Sequence, residues 1–231
     1  RHKGMTVTAS PATHRRITAI ERQQRDPERV SVFLDGTFAF GLPALVAAEQ
    51  GLHVGDELTA EEVDRLKTLD EQAKAVGAAL NLISRRPRSE REVRDRLTRK
   101  GYPPETIDAA VAKLEHWRYL DDEAFARYWV ENREANKPRG RRLLAQELRL
   151  KGVDRETIRQ TIDETEIDEA GAALELGRSK LRSYGSLDPT VARRRLGAFL
   201  IRRGYGYDVD KPVLDRLFGE DEETRRGDVE T

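Results

Sequence analysis

Pro87, Pro138 and Pro189 stand 51 residues apart, and the sequence around them repeats with them. Leu97-Thr-Arg-Lys-Gly-Tyr102 returns as Leu148-Arg-Leu-Lys-Gly-Val153 and again as Leu200-Ile-Arg-Arg-Gly-Tyr205. Glu105-Thr106-Ile107 returns as Glu156-Thr157-Ile158. Residues 78–114 and 129–165, compared without gaps, share ten of 37 positions, so the first two copies are related. In the third copy the Leu-x-x-Arg-Gly pattern falls one residue late, which implies an insertion between Pro189 and Leu200. This period constrains the fold more than any other feature. One repeat of such length is a supersecondary unit that cannot bury its own apolar face, and stacked neighbours make the core.

Each copy reads as three helices. In the first copy Ser89 and Glu92 have the spacing of a capping box, and Gly101 falls where a left-handed C-cap is wanted. Val93 and Leu97 share one helix face, matched by Leu144 and Leu148. Ile107, Val111 and Leu114 mark the third helix, matched by Ile158 and Ile162. Phe125 with Trp129 marks the first helix of the second copy. Trp117, Tyr119, Phe125, Tyr128 and Trp129 gather at the junction of copies one and two, where they read as an inter-module core.

The chain ahead of the repeats is of another kind. Arg16–Gln24 alternates as a short strand. Val30–Leu34 and Thr37–Phe40 flank Asp35-Gly36, and both turn residues tolerate the positive φ that a tight hairpin demands. Pro43–Gln50 reads as a short helix closed by Gly51. Thr59 and Glu62 form a capping box before a long helix with a break expected near Gly77. The fold class is therefore mainly α: three tandem three-helix modules behind a small domain containing a β-hairpin. The boundaries read as a disordered leader over 1–14, the small domain over 15–72, and modules over 73–119, 120–167 and 168–219. An acidic tail occupies 220–231.

Composition removes several classes of function. The absence of Cys excludes a disulfide scaffold, a zinc finger and a thiol nucleophile. No uncharged run reaches the ~17–25 residues of a membrane helix, and no charged-then-apolar signal segment is seen. A soluble cytoplasmic protein is expected, without a membrane partner. His2, His14, His53 and His116 lack a partner at metal or triad spacing, and no phosphate-loop pattern occurs. Asp121-Asp122-Glu123 reads as a helix cap. No catalytic residue, metal or cofactor is expected.

Charge carries the functional signal. The 42 basic and 42 acidic residues cancel overall, which defeats a whole-molecule argument for a polyanionic partner. Locally they separate onto the second helix of each copy. Residues 85–102 hold eight basic and three acidic residues, 137–151 six and one, and 189–204 five and none. At 100° per residue, Arg91 and Arg94 lie across the helix from Val93 and Leu97. Arg142 takes the Arg91 position in the second copy, and Arg193 or Arg194 takes it in the third, depending on where the insertion falls. Three basic ridges at regular spacing would face an extended acidic partner. The candidate contact residues are Arg88, Arg91, Arg94, Lys100, Arg139, Arg142, Lys151, Arg193 and Arg194.

Arg88-Ser-Glu-Arg-Glu-Val-Arg-Asp-Arg-Leu-Thr-Arg-Lys-Gly-Tyr102, then Arg118-Tyr-Leu-Asp-Asp-Glu-Ala-Phe-Ala126, then Glu147-Leu-Arg-Leu-Lys-Gly-Val153 strongly resemble the RecX family of bacterial recombination regulators. The hairpin around Asp35-Gly36 resembles the N-terminal extension of longer members. Two departures stand out. Gly140 follows Pro138 where many members place Gly before Pro, and the third copy keeps only the Leu-x-x-[Lys/Arg]-Gly remnant. The resemblance implies a non-enzymatic modulator that binds the RecA–single-stranded-DNA filament and limits its ATPase and strand exchange; a monomer is expected. Direct binding of single- or double-stranded DNA by the basic helices, without RecA, is the alternative.

Overall fold

A computed structural model describes the backbone of residues 14–227 and the side chains of 14–219. The leader before residue 14 and the side chains of the acidic tail lie outside the described residues. The chain divides into two compact units, Arg1–Arg85 with Arg94–Tyr119, and Arg86–Val93 with Leu120–Thr231.

The first unit opens on a four-stranded antiparallel sheet. It holds β1 (Arg15–Arg22), β2 (Arg29–Leu34), β3 (Thr37–Pro43) and the short β4 (Glu57–Leu58), in the order β3-β2-β1-β4. Asp35 and Gly36 turn the hairpin with φ of +53° and +79°, the pair of positive values a twisted two-residue loop needs. Alternation places Ile17, Val32, Leu34 and Leu42 on one face at 0 % exposure. Helix α1 (Ala44–Glu49) ends at Gly51, and Val63 and Leu66 of α2 (Ala60–Ile83) complete this core. Thr59 caps α2 through a full capping box with Glu62. Arg29 of β2 pairs with the nearly buried Asp70 of α2 at 2.6 Å, tying sheet to helix.

Gly77 does not break α2. The helix runs unbroken to Ile83. A glycine inside a helix costs only about 1 kcal/mol, and the burial of Ala75, Val76 and Ala79 around it holds the turn. The far half of α2 serves as the first helix of module one, with α3 (Glu90–Arg99) and α4 (Pro104–His116) following. Thr106 of α4 donates to Glu71 of α2 at 3.1 Å.

The second unit holds the other modules: α5 (Asp122–Asn136), α6 (Arg141–Leu150) and α7 (Arg155–Glu164), then α8 (Glu169–Arg182), α9 (Pro189–Arg202) and α10 (Tyr207–Gly227). Asp121 caps α5 by accepting from the Ala124 amide at 2.9 Å, as its sequence position predicts. The apolar pairs of the second helices all lie inside. Val93, Leu97, Leu144, Leu148, Leu196 and Leu200 are each at most 1 % exposed. Every second helix ends on a glycine in the left-handed region, with φ of +88° at Gly101, +89° at Gly152 and +90° at Gly204. Aligned on these glycines, Val93, Leu144 and Leu196 are equivalent. The extra length of the third copy therefore sits at the start of α9, which has 14 residues against ten in α3 and α6.

The aromatic cluster divides. Phe125 is buried and Trp129 packs against it with ring centroids 5.8 Å apart. Trp117 and Tyr119 are 43 % and 56 % exposed, so they are not core. Trp117 is the residue on which α4 ends, past the buried Leu114, and Arg118 at φ +57° then turns the chain before Tyr119.

Candidate partner-binding ridge and the joints beneath it

Within the second unit the modules meet through one joint used twice. At the first joint the N-terminus of α3 sets on the C-cap of α6. Ser89 donates through its hydroxyl to the Lys151 carbonyl at 2.7 Å, and Glu90 donates its amide to Asp122, the first residue of α5, at 2.8 Å. The Arg91 stem lies across Gly152 so closely that a Cβ there would stand 2.5 Å from the Arg91 Cβ. At the second joint the N-terminus of α6 sets on the C-cap of α9. Gly140 donates its amide to the Arg203 carbonyl at 2.9 Å, and Arg141 donates its amide to Glu169, the first residue of α8, at 2.8 Å. A Cβ on Gly204 would stand 2.4 Å from that of Leu143.

The capping box expected at Ser89 forms only in part. Ser89 accepts from the Glu92 amide at 3.2 Å. The Glu92 carboxylate is instead held by Arg86 through two 3.0 Å hydrogen bonds and by Lys151 at 2.6 Å. Burial alone would push this carboxyl up. The bonds from Arg86 and Lys151 outweigh it and draw the group down to about 2. In the next module Glu147 has the comparable part, accepting from Trp129 and Arg133 and pairing with Arg139 at 3.0 Å. Asp122, by contrast, is raised by burial, which the Glu90 amide opposes.

These bonds sort the nine candidate contact residues into two sets. Arg88 lies 4.0 Å from Glu92, and Lys151 is bound to the same carboxylate while facing the Trp129 ring. Arg94 pairs with Asp108, Arg139 with Glu147, and Arg193 with Asp215 of α10. Those five are drawn into the chain's own network. Arg91, Lys100, Arg142 and Arg194 are exposed, and among the described residues none has a carboxylate within ion-pair distance. Counting back from the C-cap glycines, Arg91, Arg142 and Arg194 occupy the same position of their helices. Arg194 rather than Arg193 thus holds the third ridge position by register, all three belong to the second unit, and the one-residue lag places it there.

Sequence reasoning missed Asp122 and Glu169 as acceptors for the preceding module, and Glu92 as an ionic anchor. Apart from Arg86, six residues from Glu92, their partners lie 28 to 59 residues away, beyond any local pattern. Among the described residues no group of His, Asp and Glu is clustered to hold a metal, and no helix is long and apolar enough to cross a membrane.

The fold defines the class: a tandem helical-repeat protein fronted by a small antiparallel sheet. Its sequence matches four successive family descriptions: the RecX N-terminal domain over 15–59, and the first, second and third RecX three-helix domains over 75–114, 121–162 and 167–209. Regulatory protein RecX of Clostridium botulinum (strain Eklund 17B) is 33% identical over 202 residues, covering 86% of this chain and 94% of the relative. Regulatory protein RecX of Bacillus subtilis (strain 168) is 30% identical, covering 91% and 80%. A crystal structure of regulatory protein RecX superposes with a TM-score of 0.76 at 26% identity, covering 87% of this chain and 99% of that one. The chain belongs to the RecX family of regulatory proteins.

Proposed function

We propose that this protein regulates homologous recombination as a non-enzymatic ligand of the RecA–single-stranded-DNA filament, acting in the cytoplasm to restrain RecA ATPase and strand exchange. The observation that carries this reading is the ridge. Arg91, Arg142 and Arg194 recur at one helix position, exposed and without a carboxylate partner among the described residues. Unpaired cations at a regular interval suit a polymer that repeats its own negative charge, and such complementarity mainly sets encounter rate and orientation. The chemistry needs neither metal nor cofactor. The test is RecA ATPase on single-stranded DNA with this protein titrated in. Saturable inhibition is expected, and an unchanged rate at stoichiometric excess refutes the proposal.

The same three arginines favour one alternative, direct binding of single- or double-stranded DNA without RecA. Three phosphate contacts on a single strand would give a slope of log K against log salt near −2, at about −0.7 per contact. A filament-selective ligand shows instead weak affinity for naked DNA at moderate salt.

A further inference from the structure

We propose that the C-cap of α3, at Lys100-Gly101-Tyr102, is a third copy of the joint socket, open to the N-terminal turn of a helix from a partner protein whose N-cap is Ser or Gly. The chain itself fills this socket twice, and those two joints define its chemistry. A backbone carbonyl just before a left-handed glycine accepts a hydrogen bond, at Lys151 from Ser89 and at Arg203 from Gly140. The glycine receives the incoming helix without room for a Cβ. The residue after it is covered, Val153 to 3 % exposure and Tyr205 to 1 %.

Gly101 has the same backbone, at φ +88°, yet nothing lies within 4 Å of a Cβ built on it. Among the described residues no donor reaches the Lys100 carbonyl. Tyr102, the counterpart of Val153 and Tyr205, is only half-buried. The carbonyl, the glycine and the residue after it are present in register and open together, without the carboxylate that Asp122 and Glu169 add at the two internal joints.

The occupant is not a second copy of this chain. The N-termini of α3 and α6 are engaged in the two internal joints. The other helix starts do not fit: Thr59, Asp121, Asp154, Asp168 and Asp188 already cap α2, α5, α7, α8 and α9 with their own side chains, Pro43 and Pro103 precede α1 and α4, and Gly206 before α10 is buried. A partner helix with a small N-cap fits, because at the first joint Ser89 is wholly buried and at the second even a Cβ on Gly140 would meet the Gly204 carbonyl at 2.2 Å.

The probe is a lactam-constrained helical peptide with the sequence of residues 87–98, which carries the natural plug with Ser89 as N-cap. Fluorescence anisotropy against the full chain is expected to show saturable binding. Affinity should fall at least roughly tenfold, or about 1.4 kcal/mol, for a peptide carrying Ser89→Arg. The same loss is expected for the parent peptide on Gly101→Asn protein, since Asn tolerates left-handed backbone and fills the socket. No saturable binding overturns the proposal, as does equal binding of the two peptides, a comparison that needs no variant protein. Concentration-dependent dimerisation of the chain that Gly101→Asn abolishes would assign the socket to a second copy and overturn it too.

Discussion

Replacing Glu92 with Gln keeps the shape of the side chain and removes the charge that Arg86 and Lys151 share. Three hydrogen bonds of 2.6 to 3.0 Å reach this carboxylate, and its side chain is 16 % exposed, so solvent does little to soften the loss. The perturbed acidity gives the magnitude. The group falls from 4.5 unperturbed to about 2 when folded, and at 1.36 kcal/mol per unit that is roughly 3 kcal/mol of stability at neutral pH. The sign follows from proton binding. Between pH 4.5 and about 2 the unfolded chain holds the proton and the folded chain does not, so the contribution is whole above pH 4.5 and disappears as pH falls through about 2. Urea unfolding of the parent and Glu92→Gln proteins should therefore differ by roughly 3 kcal/mol at pH 7 and by less than about half of that at pH 3. A cost below about 0.5 kcal/mol at pH 7, the range of ordinary surface changes, would refute the reasoning, as would a difference that does not shrink with acid.

The joint and the core can be separated by two further comparisons. Gly101→Ala and Gly152→Ala place the same residue in the same left-handed backbone, which costs about 1–2 kcal/mol at either position. Only Gly152→Ala also drives a Cβ to 2.5 Å from Arg91, so thermal unfolding should show it worse by roughly 1–3 kcal/mol; equal losses would mean that the joint yields freely. Leu148→Ala, at a site 0 % exposed, should cost about 2–5 kcal/mol, while Arg142→Glu on the same helix should stay within about 0.5 kcal/mol in the same denaturation assay. An Arg142→Glu loss comparable to Leu148→Ala would show that the arginine is structural.

Local chemistry was legible in the sequence. Asp35-Gly36 set the hairpin turn, Thr59 and Glu62 the start of α2, and the Leu-x-x-Lys-Gly pattern both the buried Leu97 and Leu148 and the glycines that close their helices. Those features act within a few residues, where spacing alone decides. The misread features depend on distant packing. Arg193 stands one place off the ridge by the one-residue lag that the sequence shows, but its pairing with Asp215 and contact with Phe218 of α10 are not announced by anything near residue 193. Glu92 has the right spacing for a capping box, yet Arg86 six residues away and Lys151 59 residues away compete successfully for its carboxylate. Trp117 and Tyr119 group with the core by residue type, but Trp117 stands at the very end of α4 and the left-handed Arg118 turns the chain before Tyr119.

The ridge is the central claim, and charge at its three positions is what must be tested. In the decisive protein Arg142 and Arg194 become Glu, and Arg91 becomes Gln so that a stem remains over Gly152. RecA ATPase on single-stranded DNA, measured at matched ionic strength against the parent, is the readout. An unfolding midpoint close to the parent's is expected, with inhibition lost or shifted to much higher concentration. Inhibition at the parent's concentration by this folded variant would contradict it and leave the three arginines as a solvated face.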